Sequence, residues 1–155
     1  AYSGSTWTVL LTITCGMIRK HYIEEGRNCD MTLDKNCPSR SYLFGRLLAV
    51  AEAAEKSTYE NGQERATNAE RYFEKFSNSP AETWATISKR LSPYFNRMNA
   101  GTKKYYQKII DEIMEKFDRD EFNDNSKLEP EFLLAYSCQR KELYTKKDKD
   151  NSEEV

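Results

Sequence analysis

The stretch SYLFGRLLAVAEAAE, residues 41–55, constrains this chain more than any other. Leu43, Leu47, Val50, Ala51 and Ala54 recur at helical spacing, so the segment reads as a helix with an apolar face. Ser41 is placed to cap it, and the pattern carries on through KSTYE to Glu60. Gly45 falls inside that helix, where glycine costs about 1 kcal/mol relative to alanine. A glycine at such a position points to close approach of another backbone.

The remaining chemistry favours more helices. Only four prolines and six glycines occur in 155 residues, too few for a turn-rich fold, and nothing reads as a run of strands. The length suffices for one domain with a real core. Helices are expected over residues 6–24 (burying Trp7, Leu10, Leu11, Ile13, Met17 and Ile18), 66–76, 80–91, 102–117 and 131–146. In the third, Ala69, Tyr72, Phe73 and Phe76 form the apolar side, with Asn68, Arg71 and Lys75 beside it. In SPAE, Ser79 can cap, Pro80 suits the first helical position and Glu82 completes a capping box. Ser92-Pro93 is expected to interrupt the fourth helix. The expected fold is all-α: a single helical bundle of five to six helices over 1–147, followed by a disordered acidic tail, 148–155.

The last helix poses a problem. Leu133, Tyr136, Leu143 and Tyr144 make one stripe, and Arg140 lies on it. A guanidinium on a core face must find a partner or water. Either it pairs with an acidic side chain of a neighbouring helix, or this face meets a partner, with Lys141, Lys146 and Lys147 at its edge.

The net charge of −1 conceals strong segregation. Residues 65–110 carry +6 and residues 111–131 carry −6. Such a layout suits a polyanion-binding surface, or merely complementary helices. Cys15, Cys29, Cys37 and Cys138 form no C-x-x-C pair and His21 is the sole histidine, so a zinc site is not expected. Two disulfides are the alternative to four thiols. Nothing else suggests secretion, and the reading is reduced thiols in the cytoplasm. WTVLLTITCGMI, 7–18, is too short to span a bilayer and its basic residues follow it, so a buried helix is expected there, with no membrane association.

Catalytic signatures are lacking. There is no G-x-S-x-G, phosphate-cradling glycine loop or H-E-x-x-H. Glu112 and Glu115 sit among lysines as solvated charge pairing, and no cofactor or metal is implied. Residues 118–129 place Asp118, Asp120, Asp124 and Glu129 in a calcium-loop frame. Phe122 and Asn123 then occupy positions that need a ligand and a glycine, so a solvated loop is the better reading. Nucleic acid gives a stronger signal. Arg65, Arg71, Lys75, Lys89, Arg90, Arg97, Lys103, Lys104 and Lys108 are interleaved with Tyr72, Tyr94, Tyr105 and Tyr106. Phosphates want mobile cations and splayed bases want flat rings. The other reading is a hydrated cationic face with its aromatics inside.

Together, SYLFGRLLAVAEAAE (41–55), RATNAERYF (65–73), SPAETW (79–84), SPYF (92–95) and FLLAYSCQRKELYTKK (132–147) resemble the C-terminal part of the large subunit of type I-C CRISPR Cascade. The combination of Gly45-Arg46, Thr67-Asn68-Ala69 and Gln139-Arg140 is more specific than any one piece. The chain departs at Ala135-Tyr136-Ser137-Cys138, where the family often has Gly-Tyr-Tyr-His, so no role tied to a histidine is carried over.

In that family the region is also made separately as a small subunit, and a chain of this size resembles it. The resemblance implies a non-enzymatic helical subunit of an antiviral RNA-guided complex. Its partners would be the Cascade backbone and large subunits, the crRNA-containing assembly, displaced single-stranded DNA and a second copy of itself. Base pairing would read sequence, and this protein would brace the backbone and stabilise the R-loop. Arg65, Arg71, Lys75, Lys89, Arg90, Lys103 and Lys104 are the expected DNA-facing set, with Arg46 and Asn68 in second place and Arg140 in a partner or structural role. The alternatives are a purely structural assembly subunit, or excised large-subunit domain, without DNA contact, and an unrelated helical enzyme.

Overall fold

The computed structural model describes residues 32–60 and 65–150, with side chains through Thr145. The helix expected over 6–24 lies outside the described residues. Among the described residues the chain is all-α, with seven helices: α1 (Arg40–Lys56), α2 (Asn68–Arg71), α3 (Phe73–Asn78), α4 (Pro80–Arg97), α5 (Ala100–Met114), α6 (Arg119–Asn123) and α7 (Glu131–Asp150).

Helix α1 is the axis of the fold. Every residue from Ser41 to Glu55 is buried, because α7, α4, α5 and α2 pack around it. An apolar face alone does not account for this; a helix enclosed on all sides must hide its polar residues too. Phe44 collects the rings of Phe76 (5.8 Å), Phe117 (4.7 Å) and Phe122 (5.6 Å) on one side. Burying each such large apolar side chain contributes about 1.5–3 kcal/mol.

The expected close partner of Gly45 is α7. A Cβ added at Gly45 would stand 2.3 Å from the Phe132 carbonyl oxygen and 2.9 Å from Ala135 Cβ. The α1–α7 seam thus closes because neither residue brings bulk to the crossing.

Local differences from the expected elements have physical causes. Helix α1 begins at Arg40, and Ser41 does not cap it; its hydroxyl accepts from the Glu129 backbone N–H at 2.9 Å. The helix expected over 66–76 is broken at Tyr72, whose φ of −99° and ψ of 7° fall outside the helical region. Its start carries a complete capping box: Glu70 N–H donates to Thr67 Oγ1 (3.1 Å), and Thr67 N–H donates to Glu70 Oε2 (2.8 Å). At α4, Pro80 takes the first helical position as expected, but the Ser79 side chain makes no cap and Glu82 turns to Lys75 instead. Pro93 does not stop α4, which runs on to Arg97. The carbonyl of Lys89 loses its helical donor there, and both Lys89 and Pro93 are exposed, so water can replace it. Helix α7 continues to Asp150, four residues past the expected end.

Arg40 closes the far end of the molecule. Its guanidinium donates to the carbonyls of Glu121, Asp124 and Ser126, tying the segment after α6 to the start of α1. Before α6 Asp118 caps it by accepting from Asp120 N–H at 3.0 Å, and after it Asp124 accepts from Ser126 N–H at 3.0 Å. No group of three or more His, Cys, Asp or Glu among the described residues is arranged to hold a metal ion. No helix among them is long and apolar enough to cross a membrane.

Candidate nucleic-acid interface

Two buried carboxylates on α1 organise everything around its C-terminal half. Glu52 is wholly buried and collects three donors: the Tyr136 hydroxyl, Lys56 Nζ at 2.6 Å and Arg140 Nη2 at 3.2 Å. Lys56 also reaches Glu70 at 3.0 Å. Arg140 therefore pairs inside the fold, stacked beside the Tyr136 ring at 5.3 Å. Burial opposes its charge, yet the Glu52 carboxylate prevails and holds the guanidinium above its ordinary pKa.

Glu55, one turn along, accepts from the Tyr59 hydroxyl at 2.7 Å. Its other oxygen accepts from Asn68 N–H at 2.8 Å and Asn68 Nδ2 at 3.0 Å. Burial, then the bond to Glu55, push the Tyr59 phenol up to about 12. The ring is thereby fixed where the chain leaves α1.

On this scaffold the exposed cations of α2–α4 and of the segment before them form a strip. Glu82, Thr86, Arg90 and Tyr94 succeed one another every four residues along one ridge of α4. Lys75 reaches Glu82 at 3.4 Å, Arg90 lies 5.3 Å from the Tyr72 ring, and exposed Arg71 adjoins Tyr72. Tyr94 meets the Tyr59 ring at 6.4 Å, and Arg65 covers Tyr59 at 4.6 Å. Lys75, Arg90 and Arg65 are thus brought together with three tyrosines, while Arg71 is exposed at the end of α2 and Arg97 in the last turn of α4.

Lys89 is exposed on the neighbouring face of α4. Lys103, half-buried, and Lys104, exposed, stand instead on the first turn of α5. That helix meets the same end of α1, where the Tyr106 hydroxyl lies beside Ser57. Among the described residues, Lys108–Glu112 at 3.9 Å is the ion pair linking the basic stretch 65–110 to the acidic segment 111–131.

Two expected members are not on the surface. Arg46 is 3 % exposed; its Nε donates to Gln139 Oε1 at 3.0 Å and its Nη1 to the Lys35 carbonyl at 3.3 Å. Asn68 is 6 % exposed and committed to Glu55. Both belong to the interior because their partners are there. Sequence reasoning missed Glu52, Glu55 and Tyr59. The usable signal was two acids three residues apart in an otherwise apolar helix, with a tyrosine one turn after the second.

A sequence model of the CRISPR-associated protein family Cas_Csd1 matches residues 7–144. The chain belongs to this CRISPR-associated family. No curated protein matches it. In this Cas_Csd1-family chain the most specific combinations behind the resemblance are internal ties. Across the α1–α7 seam Gly45 admits the backbone of Phe132, Arg46 bonds Gln139 and Arg140 meets Glu52, and Thr67-Asn68-Ala69 supplies a cap, a ligand for Glu55 and a buried methyl group. Their roles within this chain are architectural.

Proposed function

We propose that this chain is a non-enzymatic small subunit of the type I-C CRISPR surveillance complex, acting in the cytoplasm. It braces the crRNA-bearing backbone and stabilises the R-loop by sequence-independent contacts to the displaced strand. The observation that supports this is the α2–α4 strip: Arg65, Lys75 and Arg90 joined through Tyr59, Tyr94, Tyr72 and Glu82, with Arg71 exposed as well, and none of the four paired with the acidic segment that follows them. A strip of this kind suits phosphates, which lie at regular spacing and carry no base identity. Lys89, Lys103 and Lys104 extend the cationic surface along α4 and α5.

The test is charge reversal of Arg65, Arg71, Lys75 and Arg90 to Glu, followed by reconstitution of the complex. R-loop formation should fall, and the salt dependence of target binding should flatten by about 0.7 in log–log slope for each lost single-strand phosphate contact. Normal R-loop formation by an intact complex carrying all four changes refutes the reading. Failure of the variant to enter the complex assigns the strip to protein contact, the structural-subunit alternative.

A further inference from the structure

One ring does not follow the pattern of the rest. Among the described residues Tyr105 is the exposed large hydrophobic side chain, at 42 % exposure. Tyr59, Tyr72 and Tyr94 are half-buried and Tyr106 is buried. An isolated exposed ring needs no explanation by itself. Its setting does call for one.

Tyr105 is braced from behind. Its ring meets Tyr106 edge-on at 5.2 Å and 71°, and Tyr106 is fixed by burial beside Ser57. The residue one turn earlier is Gly101, so no side chain reaches over the ring from that position. Even an added Cβ there would meet only Asn99 Oδ1, at 3.5 Å. Lys103 and Lys104 immediately precede the ring. At 100° per residue half-buried Lys103 falls on the far side of α5, whereas exposed Lys104 and Lys108, one turn apart, lie along the ring's own side, and Lys108 reaches Glu112 only at 3.9 Å. A supported, open ring beside exposed cations is the arrangement that holds single-stranded nucleic acid: the cations take the phosphates and the ring takes a base. Duplex DNA offers the same phosphates but keeps its bases stacked inside.

We propose that Tyr105 is a base-stacking site through which this surface prefers unpaired DNA over duplex. The inference rests on the reading of the chain as a holder of DNA phosphates, and adds that a base is contacted as well.

Abasic DNA separates the two ideas, because it keeps the phosphates and lacks the bases. The full chain is titrated by fluorescence anisotropy with a labelled thymidine strand of about twenty nucleotides and with an abasic strand of equal length. The parent should bind the thymidine strand about tenfold more tightly than the abasic one. Tyr105→Leu should remove most of that difference without changing the salt slope, and Tyr105→Trp should keep it. Because the side chain is exposed, thermal unfolding of both variants should match the parent. Equal parent affinity for the two strands overturns the proposal and leaves phosphate holding in place. So does a thymidine preference that survives Tyr105→Leu. Absence of binding to either strand at low salt overturns both readings.

Discussion

The α1–α7 seam and the α4 strip use the same pair of side chains to opposite ends. In each, an arginine lies 5.3 Å from a tyrosine ring: Arg140 over Tyr136 in the seam, Arg90 over Tyr72 in the strip. What differs is the counter-charge. Arg140 meets a wholly buried carboxylate, Glu52, whereas Arg90 is exposed and stands on α4 among other cations. A cation over an exposed ring contributes about 0.5–1 kcal/mol. A buried carboxylate deprived of its partners costs several times as much. The ring distance therefore says little about an arginine's role in this fold; the burial of the opposing acid decides it.

The sharpest way to break the seam is steric. Gly45→Ala places a Cβ 2.3 Å from the Phe132 carbonyl, a backbone atom that cannot rotate away. The helices must separate, and overpacking of this kind should cost about 3 kcal/mol or more, read as a lower urea midpoint. A midpoint equal to the parent's would show that the seam is not tightly packed. The electrostatic counterpart is Glu52→Gln, which removes the charge facing Lys56 and Arg140. Arg140 is 40 % exposed and can turn to water, so the loss should be smaller, about 2 kcal/mol. Removing the same charge type from the strip, by Glu82→Gln, should leave the midpoint unchanged within about 0.5 kcal/mol.

The seam was partly legible in the sequence and the network beneath it was not. Glycine within a helix has few explanations, so Gly45 announced the neighbouring backbone. The position of Arg140 on an apolar stripe called for either an internal partner or a docking face and did not choose between them. Nothing in the local pattern identified Glu52 as the acid, because helical periodicity sorts residues between a buried and a solvated side, and α1 has no solvated side. The same failure put Arg46 on the surface, and Asn68, on α2, was misplaced because its acceptor Glu55 was unseen. Enclosure by α7, α4, α5 and α2 is a property of the whole chain, and only long-range packing reveals it. The exposed cations were easier: Arg71, Lys75 and Arg90 flank apolar positions at helical spacing and face outward as expected. Their alignment was not legible. It depends on the break at Tyr72, which local propensity argued against.

A paired truncation sharpens the comparison at intermediate size. Arg140→Met keeps the apolar stem and strips one donor from Glu52, which retains Lys56 and Tyr136. The expected cost is about 1.5 kcal/mol, in the range of a charged hydrogen bond. Arg90→Met should cost no more than about 0.5 kcal/mol, the lower end for an exposed cation over a ring. Equal costs would mean that Glu52 is satisfied without Arg140, and the contrast between the two regions would then rest on burial of the stem alone.

The smallest effect lies where the two regions meet, at Glu70. Burial opposes its ionised form, but hydrogen bonds from Thr67 N–H and Lys56 hold its carboxyl below the usual 4.5. A depressed carboxyl stabilises the fold above its unfolded pKa and loses that contribution as pH falls through the folded value. The loss should thus begin near pH 4.5 and be complete below the depressed value. Glu70 is 37 % exposed, so solvent screening keeps its charge effect to about 0.5 kcal/mol. Glu70→Gln separates two contributions that the acid combines. Glutamine still accepts from Thr67 N–H and preserves the capping box, but it cannot ionise. Thermal midpoints followed from pH 6 to pH 3 should fall less steeply for the variant than for the parent. Parallel curves would locate the acid sensitivity elsewhere and reduce Glu70 to a cap. A variant already low at pH 6, with an unchanged slope, would mean that the cap requires the carboxylate itself.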